Sequence, residues 1–361
     1  MIPTKYLNAV DFDWRSKQAG KFLTEYESFS ALLEESRVRD RGPDVHFTTL
    51  QDFIGSFITV EKGVRNTERL SELRDTAAVP LKVILLGGST VFCAEVQDSE
   101  TLPSQLQASL ESQEVACRVV NSGMPGATSS NRLHFAKELS DLASFDVVIL
   151  YAGINDCELA HRYRKKTRRT SSFYYLRLAT RILSNFRSLR RYLKDVCIPS
   201  VVEFMEDKSH DNQLRLTILQ PHLGTYRPTA TRLVNSAILK ISAESRIRRR
   251  LGYFFLKKSW SRYKWFFDLT GSLNSEHETY VDLAHLTAKG NKVMADEIAR
   301  VICSSTGKLF KQKQSFQDEL YTERQKNFTV SIITRAILKP NSVRLPETDW
   351  EPSDPFNYPL F

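Results

Sequence analysis

With 361 residues, 41% of them hydrophobic, the chain can bury a large core, enough for one elaborated domain with extensions. Its five cysteines (Cys93, Cys117, Cys157, Cys197 and Cys303) are odd in number and scattered, which excludes a disulfide framework and fits a reducing compartment. The formal charge is +9, no run approaches a membrane span, and Met1 to Tyr6 lacks the apolar core of a signal peptide, so a cytoplasmic location is expected.

Residues 1–80 are mixed in character. Tyr26 to Arg37 has a helical pattern and Phe47 to Val60 alternates weakly like strands, which predicts an N-terminal extension packed on the core. Lys82-Val83-Ile84-Leu85-Leu86 is a short, β-branched, apolar run closed by two glycines, the pattern of a buried parallel strand. Cys117 to Asn121 and Asp146 to Tyr151 repeat it, and Leu214 to Leu219 and Trp265 to Asp268 are the fourth and fifth candidates. Helical patterns lie between them at Leu102 to Ser112, Ser129 to Leu142, Phe173 to Lys194 and Arg232 to Leu251. A last one follows at Thr287 to Cys303. Strands alternating with helices predict an α/β fold, a three-layer α/β/α domain with a central parallel sheet over residues 81–307. Residues 308–361 turn polar, then proline-rich from Pro340, and read as a tail.

Ser89 stands on the glycine turn Gly87-Gly88-Ser89-Thr90 that closes the first strand, and Asp282-Leu283-Ala284-His285 comes nearly two hundred residues later. A serine, an imidazole and a carboxylate are the parts of acyl transfer. The serine attacks, the histidine takes its proton, and the aspartate holds the tautomer and offsets the imidazolium. Asn121 to Gly126 and Gly153-Ile154-Asn155-Asp156 add donors for an oxyanion. A phosphate-cradling loop at Gly87 to Thr90 is disfavoured, because neither Gly-x-Gly-x-x-Gly nor a Gly-Lys-Ser/Thr ending is present. Val91 stands where a Gly-x-Ser-x-Gly elbow needs its second glycine. Asp156 reads as a helix cap, and His222, after the fourth strand, as a surface residue near the rim. The histidines show no metal-ligand spacing, so neither metal nor cofactor is expected.

Taken together in this order, the four segments resemble the SGNH (GDSL-like) hydrolase family, over roughly Lys82 to Ile302. The resemblance implies a flavodoxin-like SGNH fold and a serine esterase. Ser89 would be the nucleophile, His285 its base and Asp282 the orienting acid. The oxyanion would be held by the backbone amides of Ser89 and Gly126, with Gly123 as the alternative, and by the Asn155 side chain. Gly88 departs from the family's commonest spelling, which has an aspartate before the serine. Val96 to Pro103 and Asp282 to Asn291 resemble sugar-related members, which points to carbohydrate O-acyl esters, O-acetyl or another short acyl. An acyltransferase with a sugar acceptor shares the same triad. A non-catalytic glycan- or partner-binding protein on a hydrolase scaffold is the reading from a different class.

The charge is unevenly spread. Twelve lysines and arginines fall between Arg162 and Asp195 against one acid, leaving 39 basic and 41 acidic residues elsewhere. Phe173, Leu176, Ile182, Leu183, Phe186, Leu189 and Leu193 recur at helical spacing there, which predicts a basic amphipathic insertion, 162–195, beside the pocket. It either buries its apolar stripe and solvates its arginines, or attracts an anionic substrate or an anionic membrane surface. No aromatic-interleaved recognition module is present, so no nucleic-acid partner is expected. A second basic cluster, Arg246 to Arg250 and on to Lys264, carries Trp260, Tyr263 and Trp265, which suit either sugar stacking or core packing.

Overall fold

The computed structural model describes residues 37–38, 46–47, 50–67, 81–138, 142–158, 186–210, 212–222, 243–273, 279–280 and 284–305. Strands β1 (Arg37–Val38) and β2 (His46–Phe47) form a separate antiparallel pair. The other eight make one sheet. They are β3 (Phe53–Ile54), β4 (Thr59–Glu61), β5 (Val64–Arg65), β6 (Leu81–Gly87), β7 (Cys117–Gly123), β8 (Val147–Ala152), β9 (Leu214–Leu219) and β10 (Phe266–Asp268). Their order is β10-β9-β8-β6-β7-β5-β4-β3. From β10 to β7 all neighbours are parallel; β5, β4 and β3 add on antiparallel. The expected parallel sheet is therefore mixed. Short turns join β3, β4 and β5, and a short connection cannot cross over to a parallel neighbour.

The helices that accompany the sheet among the described residues include α1 (Ser89–Phe92), α2 (Leu102–Glu111), α3 (Ser129–Glu138), α4 (Ile154–Glu158), α5 (Ile198–Glu206), α6 (Ala243–Trp260) and α7 (288–305). Side chains alternate across a strand, so β6 and β8 each feed two layers. Ile84, Leu86, Val148 and Leu150 pack with residues of α3, α5 and α6, among them Leu133, Val201 and Trp260. Val83, Leu85, Val147 and Ile149 face the other way and are equally buried. There α2 and α7 bury Leu106, Leu110, Met294 and Ile298, and Ser109 Oγ donates to Asp296 at 2.6 Å to join the two helices. Each such aliphatic side chain stabilises by about 1.5–3 kcal/mol.

Two helices outrun the sequence patterns. Residues 186–206 form a continuous helical run with a π turn at Leu193–Cys197, whereas the periodicity stops at Lys194. Pro199 explains both facts. It has no N–H for the carbonyl four residues back, and the widened turn absorbs the missing bond without ending the run. Helix α6 runs nine residues past Leu251, because Tyr253, Leu256 and Trp260 continue its buried stripe. Arg37 lies in β1 rather than in a helix. The rest of the Tyr26 to Arg37 pattern, residues 173–185 and 232–242 of two others, and the 308–361 tail lie outside the described residues.

Candidate active site

Strand register brings the sequence blocks together. Gly87 at the end of β6 pairs with Gly123 at the end of β7 and with Tyr151 near the end of β8. Since β6 sits between β7 and β8, the chain leaves it first to one side and then crosses back to the other. That reversal opens a crevice at the carboxyl ends of the strands, where open α/β sheets bind ligands. Ser89 begins α1 there and is partly exposed, while Thr90, Val91 and Phe92 are buried beneath it.

His285 Nε2 lies 2.7 Å from Ser89 Oγ, although 196 residues separate them. The segment carrying His285 is tied down on both sides: Leu286 bridges Tyr280, and Thr287 N–H donates to the Thr279 carbonyl at 3.0 Å. On the far side of the ring, Nδ1 is 3.6 Å from Glu95 Oε1, with both side chains about one-fifth exposed. Asp282 lies outside the described residues.

The glycine turn and Asn155 stand beside Ser89. Gly123 is buried, and its N–H donates to Asn121 Oδ1 at 3.1 Å. Gly126 is partly exposed at φ +81°, a left-handed conformation that costs a glycine little. Asn155 Nδ2 donates one hydrogen to the Ala127 carbonyl at 2.8 Å, which orients the amide and leaves its second hydrogen for another acceptor. A Cβ on Gly88 would sit 2.3 Å from that same Nδ2. The aspartate of the commoner spelling could not stand at position 88 with Asn155 placed this way.

Asp156 is 1% exposed and accepts four hydrogen bonds: Ser129 N–H (3.0 Å), Ser129 Oγ–H (2.7 Å), Gly153 N–H (3.2 Å) and Tyr192 O–H (2.9 Å). It caps the neighbouring helix α3 and also reaches back to the Gly153 N–H at the start of its own helix, and so ties the turn after β7 to the turn after β8. Burial, reinforced by the Asp156 charge, raises the Tyr192 phenol well above its ordinary value, which keeps it a donor. His222 is not at the surface. It is fully buried with its ring 4.1 Å from Tyr253, because the chain leaving β9 passes beneath α6. Burial, with Arg249 and Arg250 nearby, pushes its pKa down to about 3. The sequence reading missed Gln220, whose Oε1 accepts from Thr90 Oγ1 at 2.6 Å behind the nucleophile turn. It also missed Glu95 and Arg65. Arg65 is fully buried. Its guanidinium meets Asp98 Oδ1 at 2.7 Å and donates to the carbonyls of Phe92, Cys93, Val96 and Phe57. No spacing rule marks any of the three, since each partner is remote in sequence.

Among the described residues, no group of three His, Cys, Asp or Glu side chains is placed to hold a metal. No described helix is long and apolar enough to cross a membrane. All five cysteines are free thiols. In the described part of the basic stretch, Leu189, Tyr192 and Leu193 are buried, while Arg187, Arg190, Arg191 and Lys194 face solvent. Of the second cluster, Trp260 is core, and Tyr263 and Trp265 stack on each other at 4.6 Å.

Residues 83–298 match the description of the GDSL-like lipase/acylhydrolase family. The chain belongs to that family. It is accordingly a serine hydrolase that acts on ester bonds. This GDSL-like hydrolase is similar to solved structures that it covers almost whole. With a member of the lipolytic protein G-D-S-L family from Veillonella parvula it shares 13% identity at a TM-score of 0.38, over 61% of this chain and 97% of that one. With a catalytic mutant of an acetylxylan esterase from Geobacillus stearothermophilus the values are 14% and 0.40, over 61% and 92%. With an extracellular lipase from Streptomyces rimosus they are 12% and 0.39, over 61% and 98%. A comparison with curated proteins finds no match.

Proposed function

We propose that this GDSL-like hydrolase cleaves a short O-acyl ester, O-acetyl foremost, on a carbohydrate, through Ser89, His285 and Asp282. The observation that carries the reading is the 2.7 Å approach of His285 Nε2 to Ser89 Oγ at the strand ends. Ser89 Oγ attacks the ester carbonyl carbon as its proton passes to Nε2. The tetrahedral oxyanion is met by the amides of Ser89 and Gly126 and by the free hydrogen of Asn155 Nδ2. Gly126 is favoured over Gly123 because the Gly123 N–H is already bonded to Asn121. His285 then protonates the leaving alkoxide, and the bond to the alcohol breaks. Water, deprotonated by the same nitrogen, attacks the acyl-enzyme and releases the acid and Ser89. Neutral His285 must accept the first proton, so the rate rises with pH through its pKa.

The carbohydrate alcohol is supported by the segments Val96 to Pro103 and Asp282 to Asn291. The basic stretch 162–195 supports attraction of anionic esters or an anionic membrane surface. In that case kcat/KM for a charged ester falls with added salt while that for a neutral ester holds. The test of the reading is a fluorophosphonate probe on wild-type and Ser89→Ala protein, read by intact mass, then a panel of acetylated sugars against long-chain esters. Labelling of the wild type alone, with release of acetate from sugars, is expected. Equal esterase rates in the two proteins would sink the mechanism. Transfer of the acyl group to an added sugar in preference to water would make the enzyme an acyltransferase.

A further inference from the structure

We propose that Glu95 is a positioning carboxylate for His285, acting on the ring nitrogen opposite the one that faces Ser89. The inference rests on reading His285 as the base for Ser89, and it adds a residue from a different part of the chain than Asp282. The imidazole lies between two partners: Nε2 is 2.7 Å from Ser89 Oγ, and Nδ1 is 3.6 Å from Glu95 Oε1. For Nε2 to accept the serine proton, the neutral ring must carry its own proton on Nδ1. A carboxylate beside Nδ1 favours that tautomer and stabilises the imidazolium that follows. At 3.6 Å the contact works through charge, because it is longer than a hydrogen bond. Glu95 itself takes no proton. The proton moves from Oγ to Nε2 and on to the leaving alkoxide.

The placement of Glu95 is built into the fold. Helix α1 ends at Cys93, which adopts φ 56° and turns the chain back toward His285. Arg65, arriving from β5, then holds the carbonyls of Phe92 and Cys93 before Glu95 and that of Val96 after it. The segment outside the hydrolase blocks thereby fixes a carboxylate inside them. Around the pair, Arg65 is matched by Asp98, and burial pushes the Cys93 thiol up to about 12, so it stays neutral. Tyr280 lies on the bridge next to His285, and Lys289 is exposed on the first turn of α7. Asp282, three residues before His285 in the chain, is the other carboxylate that the proposed mechanism assigns to the ring.

The experiment uses the full chain labelled with 15N-histidine, in wild-type, Glu95→Gln and Glu95→Asp forms, with His285 assigned from a His285→Gln variant. Glu95→Gln should lower the His285 pKa by about one pH unit, the low end for loss of an adjacent opposite charge at a partly exposed site. Glu95→Asp should retain most of the wild-type value, and thermal melts check that each variant folds. The acid limb of the pH profile for fluorophosphonate labelling should move down by the same amount. An unchanged His285 pKa in folded Glu95→Gln overturns the proposal, even if wild-type labelling is normal. A shifted pKa in a protein that never labels upholds Glu95 and overturns the hydrolase reading instead.

Discussion

Asn155 and Gly88 share one small volume beside Ser89, and their chemistry is coupled. Asn155→Ala should lower kcat by about 10²–10³, the loss seen when one oxyanion donor is removed. Gly88→Ala should do comparable damage without touching the nucleophile, because its Cβ would lie 2.3 Å from Asn155 Nδ2 and push the amide aside. Steady-state kinetics on the double variant decide whether the two losses are one. Adding Gly88→Ala to Asn155→Ala should then cost little more than Asn155→Ala alone, whereas additive losses would mean that Gly88 acts elsewhere.

Strands β3 to β5 are part of the main sheet, and Arg65 is their fastener. Its guanidinium reaches Asp98 and four backbone carbonyls, all shielded from water or nearly so. Removing one partner of such a pair leaves the other charge buried and the carbonyls unmet. Arg65→Ala should therefore destabilise by about 3–5 kcal/mol, read from urea unfolding. A loss below about 1 kcal/mol, the range of a surface ion pair, would show that the cluster is solvated in solution. The strand ends are equally unforgiving. A Cβ on Gly123 would meet the backbone nitrogen of Phe92 at 2.2 Å, so Gly123→Ala must separate β7 from α1.

Across the whole molecule, the buried His222 sets a pH dependence of stability. Its folded pKa is depressed to about 3, against an ordinary value of 6.5, first by burial and then by Arg249 and Arg250. As pH falls below 6.5 the unfolded chain takes up the proton and the folded chain does not. Stability is therefore intact above 6.5 and is lost progressively down to about 3, by roughly 2 kcal/mol at pH 5. His222→Phe, which keeps a ring against Tyr253, should flatten this part of the profile of melting temperature against pH. An unchanged slope would place the titration on another group.

Local sequence was enough to mark the five parallel strands, through β-branched apolar runs closed by glycine, and the blocks that carry Ser89, Gly126, Asn155 and His285. Both are local signals: a strand buried on two faces needs a nearly continuous apolar run, and tight turns need glycine. Even so, Pro199 broke the periodicity of a run that the π turn keeps helical. Only packing places residues 53–65 on the edge of the main sheet, His222 in the core rather than at the rim, and Asp156 against the start of α3 as well as that of its own helix. It also decided that Glu95 and Arg65 belong beside the blocks at all. Those contacts pair residues dozens to nearly two hundred positions apart, and no periodicity or spacing along the chain encodes a distance closed only by packing.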